Sequence, residues 1–556
     1  MFMKTLPLLP STLLAAAWLA TPSEADACGC FAPPDPSVPV VQAGERIVFA
    51  LEGRHVVAHI QIQYEGAAEE FGWLLPVPSV PEFSLGTEEL FTRVLNSTQP
   101  RYRLNRTFSG QCQLESSAGG GFGRDQDSSF DAGAPNDGGV VVVEDSAGPF
   151  DYAVLRAHDR QEMFDWLDEN RYFVPAGTDD VVEPYIAEGS YFLALKLKSG
   201  ETAGDIQPIV LRYESDYPMI PIILTSVAAN PDMGIQVWVL GEHRAIPRNY
   251  RHTILNDEMI DWFNGAANYN DVIIAATNEA PDGQSFVTEF SGSTDRMKNV
   301  LSDAGRFGTE ASLAEVTNPV EFVESLWERR FPFDATTTSL LERDIPVPAL
   351  WTERGVDAPS FFGSMRFYVN RLKEEAPEAH EAYLRDLGFD PQKLAADLFE
   401  RVAEPIRRAN ELFDRHPVMT RLYTTLSPRE MTKDPVFAFN PDLPEVSNEH
   451  EATFVQDCNS NGGFLELPDG RTLRVAEPFQ WADNRAASGV PFSRRVETLW
   501  EEGVPQIEID NRNRVSQSYD EAGACACTNP RQPGAPFAAM LLLIGGLLPA
   551  WYRRRA

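Results

Sequence analysis

Glu289 is the acid in this sequence whose neighbours first suggest chemistry. It lies in the run Ser285-Phe286-Val287-Thr288-Glu289-Phe290, beside a hydroxyl and flanked by aromatic residues. Glycoside cleavage needs two carboxyl groups across one bond. With 82 acidic residues, candidate pairs arise by number alone, so Glu289 stands as a single weak catalytic candidate. Eight histidines are present and none forms the H-E-x-x-H zinc pattern. His55 and His59 are four apart on an alternating segment. On a strand that spacing separates them by about 13 Å, too far to share one ion. No metal site and no cofactor is expected.

No G-x-S-x-G elbow singles out a serine, and Ser291 reads as a loop residue ending a strand. Gly119-Gly120-Gly121-Phe122-Gly123 follows no strand and opens no helix, so it lacks the setting of a phosphate loop. Asp125, Asp127 and Asp131 depart from the EF-hand spacing. Trp73 and Trp238, on strands, could stack on sugars, but core packing accounts for them more simply.

Six cysteines remain. Cys28 and Cys30 are two apart, too close for an easy mutual bridge. Cys112 and Cys458 stand alone in distant segments, and a bridge between them would staple the first and last parts of the body. If Cys525 and Cys527 belong to the tail, the other four allow three pairings. His450 lies near Cys458, but a thiol in an oxidising compartment with a ready partner is a poor nucleophile.

That compartment is inferred from the N-terminus. Lys4 precedes an apolar run from Leu6 to Ala20, and Ala25-Asp26-Ala27 is an A-x-A cleavage pattern. The segment reads as a signal peptide over residues 1–27, with a mature chain starting near Cys28. A lipoprotein start at Cys28 is the weaker alternative. At the far end, 536–552 is nearly free of polar side chains and runs into Arg553-Arg554-Arg555. Positive charge stays on the cytoplasmic side, which places the body outside. The expected partner at this end is a membrane, entered by the apolar helix over 536–552.

The chain has 556 residues, enough for two to four structural units. Its formal net charge is −35. That excludes nucleic acid and anionic lipid surfaces as partners and leaves cations and basic partners open. Acidity that merely keeps an exported protein soluble is the simpler reading.

The elements that must carry these residues begin at Glu45. Three apolar runs between Glu45 and Pro78 are separated by Glu52-Gly53-Arg54 and by 65–70. Val56, Ala58, Ile60, Ile62 and Tyr64 alternate with polar or smaller residues, so the stretch reads as a three-strand antiparallel meander. Thr87 caps a short helix with Glu88 and Glu89 in its first turn. Residues 115–139, nearly all Ser, Gly, Ala and Asp, read as a disordered loop. Further strands are expected at 191–198, 209–213, 220–224, 235–240 and 285–290. Helices dominate from Asn256 onward, with 256–277 mostly helical. The clearest helix spans Pro391 to Phe413, with Leu394, Leu398, Val402 and Ile406 every fourth residue and a kink at Pro405. Phe464 to Val475 reads as a hairpin around Pro468-Asp469-Gly470.

Several of these stretches resemble a known family. A-C-G-C-F at Ala27, V-Q-A-G-E-R-I-V-F from Val41, I-Q-I-Q-Y-E-G, G-W-L-L-P-V-P, V-W-V-L-G from Val237, F-V-T-E-F from Phe286 and the stretch from Thr420 are similar to the bacterial domain of unknown function 2330. The resemblance implies export and no catalytic residue. The last ~32 residues resemble the myxobacterial C-terminal sorting tag: Ala524-Cys525-Ala526-Cys527, a short apolar helix and terminal arginines. That likeness implies removal of the tail at Cys525 or Cys527 and attachment at the cell surface.

The fold expected is α+β. Residues 28–255 would form a mainly antiparallel β domain with packed helices, 256–520 a helix-rich part and 521–556 a tail. The function expected is a non-enzymatic binding or structural module of the cell envelope. Two alternatives are an exported hydrolase acting on envelope polymers through acidic residues and a cation-binding surface protein.

Overall fold

The structure is a computed structural model that describes residues 44–519, apart from 63–71, 110–140, 157–158, 171, 173–177, 199–205, 228, 459 and 461. Its frame is a ten-stranded sheet. In spatial order the strands are Gln506–Asp510, Ser493–Thr498, Arg251–Leu255, Ser285–Ser293, Val418–Leu426, Met233–Gly241, Glu45–Glu52, His55–Gln61, Ile209–Glu214 and Glu82–Leu85. Strands from both sides of residue 255 thus enter one sheet. The class is the mixed α+β one that the sequence implies.

The expected meander is real for two strands only. Glu45–Glu52 pairs antiparallel with His55–Gln61. The third strand, Gly72–Val77, leaves this sheet and pairs with Tyr191–Leu197 in a four-stranded sheet. Ile209–Glu214 takes the edge of His55–Gln61 that it would have used, and Met233–Gly241 runs parallel along the other edge of Glu45–Glu52. The reason is burial. Ile47 and Phe49 face one core and Val48 and Ala50 another, so this strand needs neighbours on both edges and a layer on both faces.

The four-stranded sheet packs against one face through Leu75, Val77, Phe150, Val154, Leu193 and Leu195. Helices Glu88–Thr98 and Glu404–Arg415 cover the other through Leu90, Phe91, Val94, Ala409, Leu412 and Phe413. Thr87 caps the first of these, its hydroxyl accepting from the Glu89 amide. Residues 220–224 depart from the expected strand, because Ile222–Thr225 forms a helical turn. In 256–277, two tight turns precede the helix Tyr269–Asn278. Helices between Glu310 and Ile406 build a separate core around Phe322, Leu326, Leu340, Phe361 and Leu398. The long helix read over Pro391 to Phe413 consists of Pro391–Leu398, a wide turn Phe399–Ala403 and Glu404–Arg415. The widening precedes Pro405, whose ring and missing N–H cannot sustain the ordinary helical ladder.

No helix among the described residues is long and apolar enough to cross a membrane. The expected membrane partner, reached through an apolar helix over 536–552, is corrected on that finding. The segment lies outside the described residues. Its length would reach only about 25 Å, less than a hydrocarbon core. The 115–139 loop, Cys28, Cys30, Cys112, Cys525, Cys527 and Arg553 to Arg555 also lie outside the described residues.

Cys458 is described, and it is disulfide-bonded. Strands Arg101–Ser109 and Glu449–Asp457 run parallel in register, Ser109 opposite Asp457. The Cys458 amide donates to the Ser109 carbonyl at 3.2 Å. Cys112 follows Ser109 by three residues, so a Cys112–Cys458 bridge is the expected pairing. Non-reducing peptide mapping should recover that linked pair, and Cys458→Ser should cost about 2–5 kcal/mol in a urea melt. A linkage of Cys458 to Cys28 or Cys30 would reject the pairing.

Candidate functional site

Strand Ser285–Ser293 carries the residues with the most constrained chemistry. Against Val418–Leu426 its register slips between Thr288 and Phe290. Glu289 is the extra residue of that bulge. Bulges re-aim side chains, and here consecutive residues are sent to different polar groups.

Glu289 turns toward the helix-covered face. Its Oε2 accepts from Arg421 Nε at 2.5 Å and its Oε1 from the Tyr269 hydroxyl at 2.6 Å. Both side chains of the ion pair have 0% exposure. Arg421 Nη1 also donates to the Leu95 carbonyl and the Thr98 hydroxyl. Its guanidinium lies 5.5 Å from the Trp238 ring centroid. With the Gln236 amide turned oxygen-inward, that oxygen sits 2.5 Å from Arg421 Nη2. Burial first, and then the Glu289 charge, push the Tyr269 hydroxyl far above its ordinary range. A carboxylate so enclosed has no path to a polymer chain.

The polar row continues across the sheet. Arg46 stands opposite Gln236 and opposite Gln61. It is 2% exposed and donates to the Gln61 amide oxygen. Gln61 in turn bonds Glu88. Burial raises the Glu88 carboxyl to about 7 and lowers the Arg46 guanidinium to about 10. Glu45 begins the same strand. Its Oε1 accepts from the Thr225 hydroxyl, its Oε2 has no hydrogen-bond partner, and burial raises it to about 7.

The other sequence-singled residues fall as follows. His59 is buried on the helix-covered face, its Nδ1 without a hydrogen-bond partner, and burial lowers it to about 3. His55 pairs with Glu52 at the far end of the strand. Trp238 is wholly buried and donates to the Thr98 hydroxyl, and Trp73 packs on the sandwich core. Trp238 presents no stacking face, and Trp73 is partly buried. Ser291 lies inside its strand and bonds Thr420, so it is no loop residue. Among the described residues no three His, Cys, Asp or Glu side chains gather as metal ligands.

Sequence reasoning missed a second arrangement, on the opposite face of the same strand. His252 Nε2 is 3.0 Å from the Thr288 hydroxyl and His252 Nδ1 is 3.1 Å from Glu497 Oε1. Arg244 Nη2 donates to the Thr288 hydroxyl at 3.3 Å, and Arg495 lies 3.5 Å from Glu497 Oε2. Burial pulls the His252 imidazole below its ordinary value, opposed by the Glu497 bond. The only sequence signal was Thr288 beside Glu289. His252 and Glu497 are 245 residues apart and no motif spacing links them.

A bacterial family described as an uncharacterized protein conserved in bacteria (DUF2330) matches residues 22–306. The matched stretch contains Tyr269, His252, Thr288 and Glu289. Arg421 and Glu497 lie beyond it. No curated protein and no solved structure matches.

Proposed function

The chain belongs to the DUF2330 family of uncharacterized bacterial proteins, and from that premise we propose that it is a structural or binding module of the cell envelope, working outside the cytosol. The observation that carries this reading is the enclosed Glu289–Arg421 pair, a bolt between the central sheet and helix Glu88–Thr98. A buried pair with every strong donor satisfied specifies a rigid body and offers a substrate nothing. The hydrolase built on Glu289 is therefore not retained. Export is supported by the leader pattern ending at Ala27 and by the net charge of −35, which keeps a protein soluble and repels nucleic acid. The tag-like tail adds a finer proposal: processing at Cys525 or Cys527 leaves the body at the surface.

Protease treatment of intact cells, followed by N-terminal sequencing of the full-length product, tests this. The expected outcome is a mature start at Cys28 and digestion of the body without cell lysis. A protein protected until lysis, still carrying residues 1–27, would overturn it.

A further inference from the structure

We propose that Thr288 is an activated nucleophile for acyl transfer from a carboxylic ester, with His252 as its general base. This goes beyond the envelope reading and does not depend on it. The geometry comes from three adjacent strands. His252 stands directly opposite Glu497 in one antiparallel pair. In the parallel pair on its other side, His252 is in register with Phe286, and Thr288 is two residues further along the same face. Hydroxyl, imidazole and carboxylate therefore fall in a line, with separations of 3.0 and 3.1 Å.

The bond to Glu497 fixes the imidazole tautomer. Nδ1–H donates to the carboxylate, which leaves the Nε2 lone pair to accept the Thr288 proton. Glu497 is a positioning residue, acting through His252. Arg244 supplies a separate observation that points to a ligand. Its Nη1 is held by the Pro444 carbonyl and its Nη2 by the Thr288 hydroxyl, while its Nε is buried with no hydrogen-bond partner. The guanidinium that contacts the nucleophile thus keeps one spare N–H, the type of donor that stabilises a carbonyl oxygen gaining charge on attack. Arg244 is half-buried, and Pro444, whose carbonyl it holds, is exposed. Thr288 itself is 8% exposed, which restricts the acyl group to a small one.

The reaction balances with water as co-reactant. The Thr288 Oγ1 attacks the ester carbon and its proton passes to His252 Nε2. The ester C–O bond breaks and the alcohol leaves with that proton. Water then attacks the acyl-threonine, giving one proton to His252. The free acid departs as the threonine oxygen takes that proton back.

The test uses the full chain and p-nitrophenyl acetate. The expected result is nitrophenol release with an acetyl adduct on Thr288, trapped by acid quench and located by peptide mass. Thr288→Val and His252→Gln should each lower release by about 100-fold. Thr288→Ser, which keeps the hydroxyl, should retain it. Glu497→Gln should move the acid limb of the pH–rate profile downward, a change that a purely structural role would not produce. Melting curves check that each variant is folded. Absence of turnover in the parent, an adduct confined to other residues, or unchanged release in folded Thr288→Val would each overturn the proposal. None of these outcomes bears on where the protein is found in the cell.

Discussion

Replacing Arg421 with methionine is expected to destabilise the folded chain by about 3–5 kcal/mol, the usual cost of leaving one member of a buried ion pair alone. The substitution fills the volume but strands the buried Glu289 with the Tyr269 hydroxyl as its remaining hydrogen-bond partner. The double replacement of Arg421 by methionine and Glu289 by glutamine removes the orphaned charge and should recover most of the stability. Urea melts of the parent, Arg421→Met, Glu289→Gln and the double variant form a double-mutant cycle. If Arg421→Met alone costs under about 1 kcal/mol, the pair is not the bolt described above.

The stability of the chain should peak in mildly acid solution. Four buried carboxyl groups have folded values well above ordinary ones: Glu45, Glu88 and Asp257 at about 7 and Asp434 at about 6, each through burial first. For a raised carboxylate, the contribution is fully present below the unfolded value and is lost as pH climbs through the folded one. The window therefore runs from about 4 to 7. Each group is worth about 3–4 kcal/mol at most across it. Two histidines oppose this, His59 at about 3 and His450 at about 4. Their folded values are depressed, so their contribution is present above about 6.5 and is lost as pH falls. From pH 8 down to 6.5 the acids begin to gain while the histidines cost nothing. Below 4.5 the acids gain nothing further and the histidines still lose. Between those limits four acids gain against two losing histidines, so the maximum is expected at the lower limit, at about pH 4 to 4.5. Urea midpoints at pH 8, 6 and 4 measure it. Glu45→Gln supplies an amide in place of a carboxylate with one unpartnered oxygen, and should raise the midpoint at pH 8 while leaving pH 4 nearly unchanged. A midpoint that rises steadily from pH 6 to 8 would contradict the ordering of these groups.

Local pattern determined much of this protein. Alternation of apolar residues marked Glu45–Glu52 and His55–Gln61 as a pair, because their strand period is written in the side chains. Thr87 and Asp390 announced their helices, because a cap is a contact between near neighbours. The leader-like N-terminus, the acidity and the family likeness needed no fold at all. Tertiary structure decided the partners. Gly72–Val77 left the meander because a strand buried on both faces claimed other neighbours. Glu289 looked like a free acid because Arg421, 132 residues later, is invisible to any local reading. Thr288, His252 and Glu497 carry no spacing signature, since only the order of strands in the sheet makes them adjacent. Side-chain periodicity fixes which face a residue occupies. It does not fix which residues stand across from it, and that pairing set the chemistry of both polar clusters.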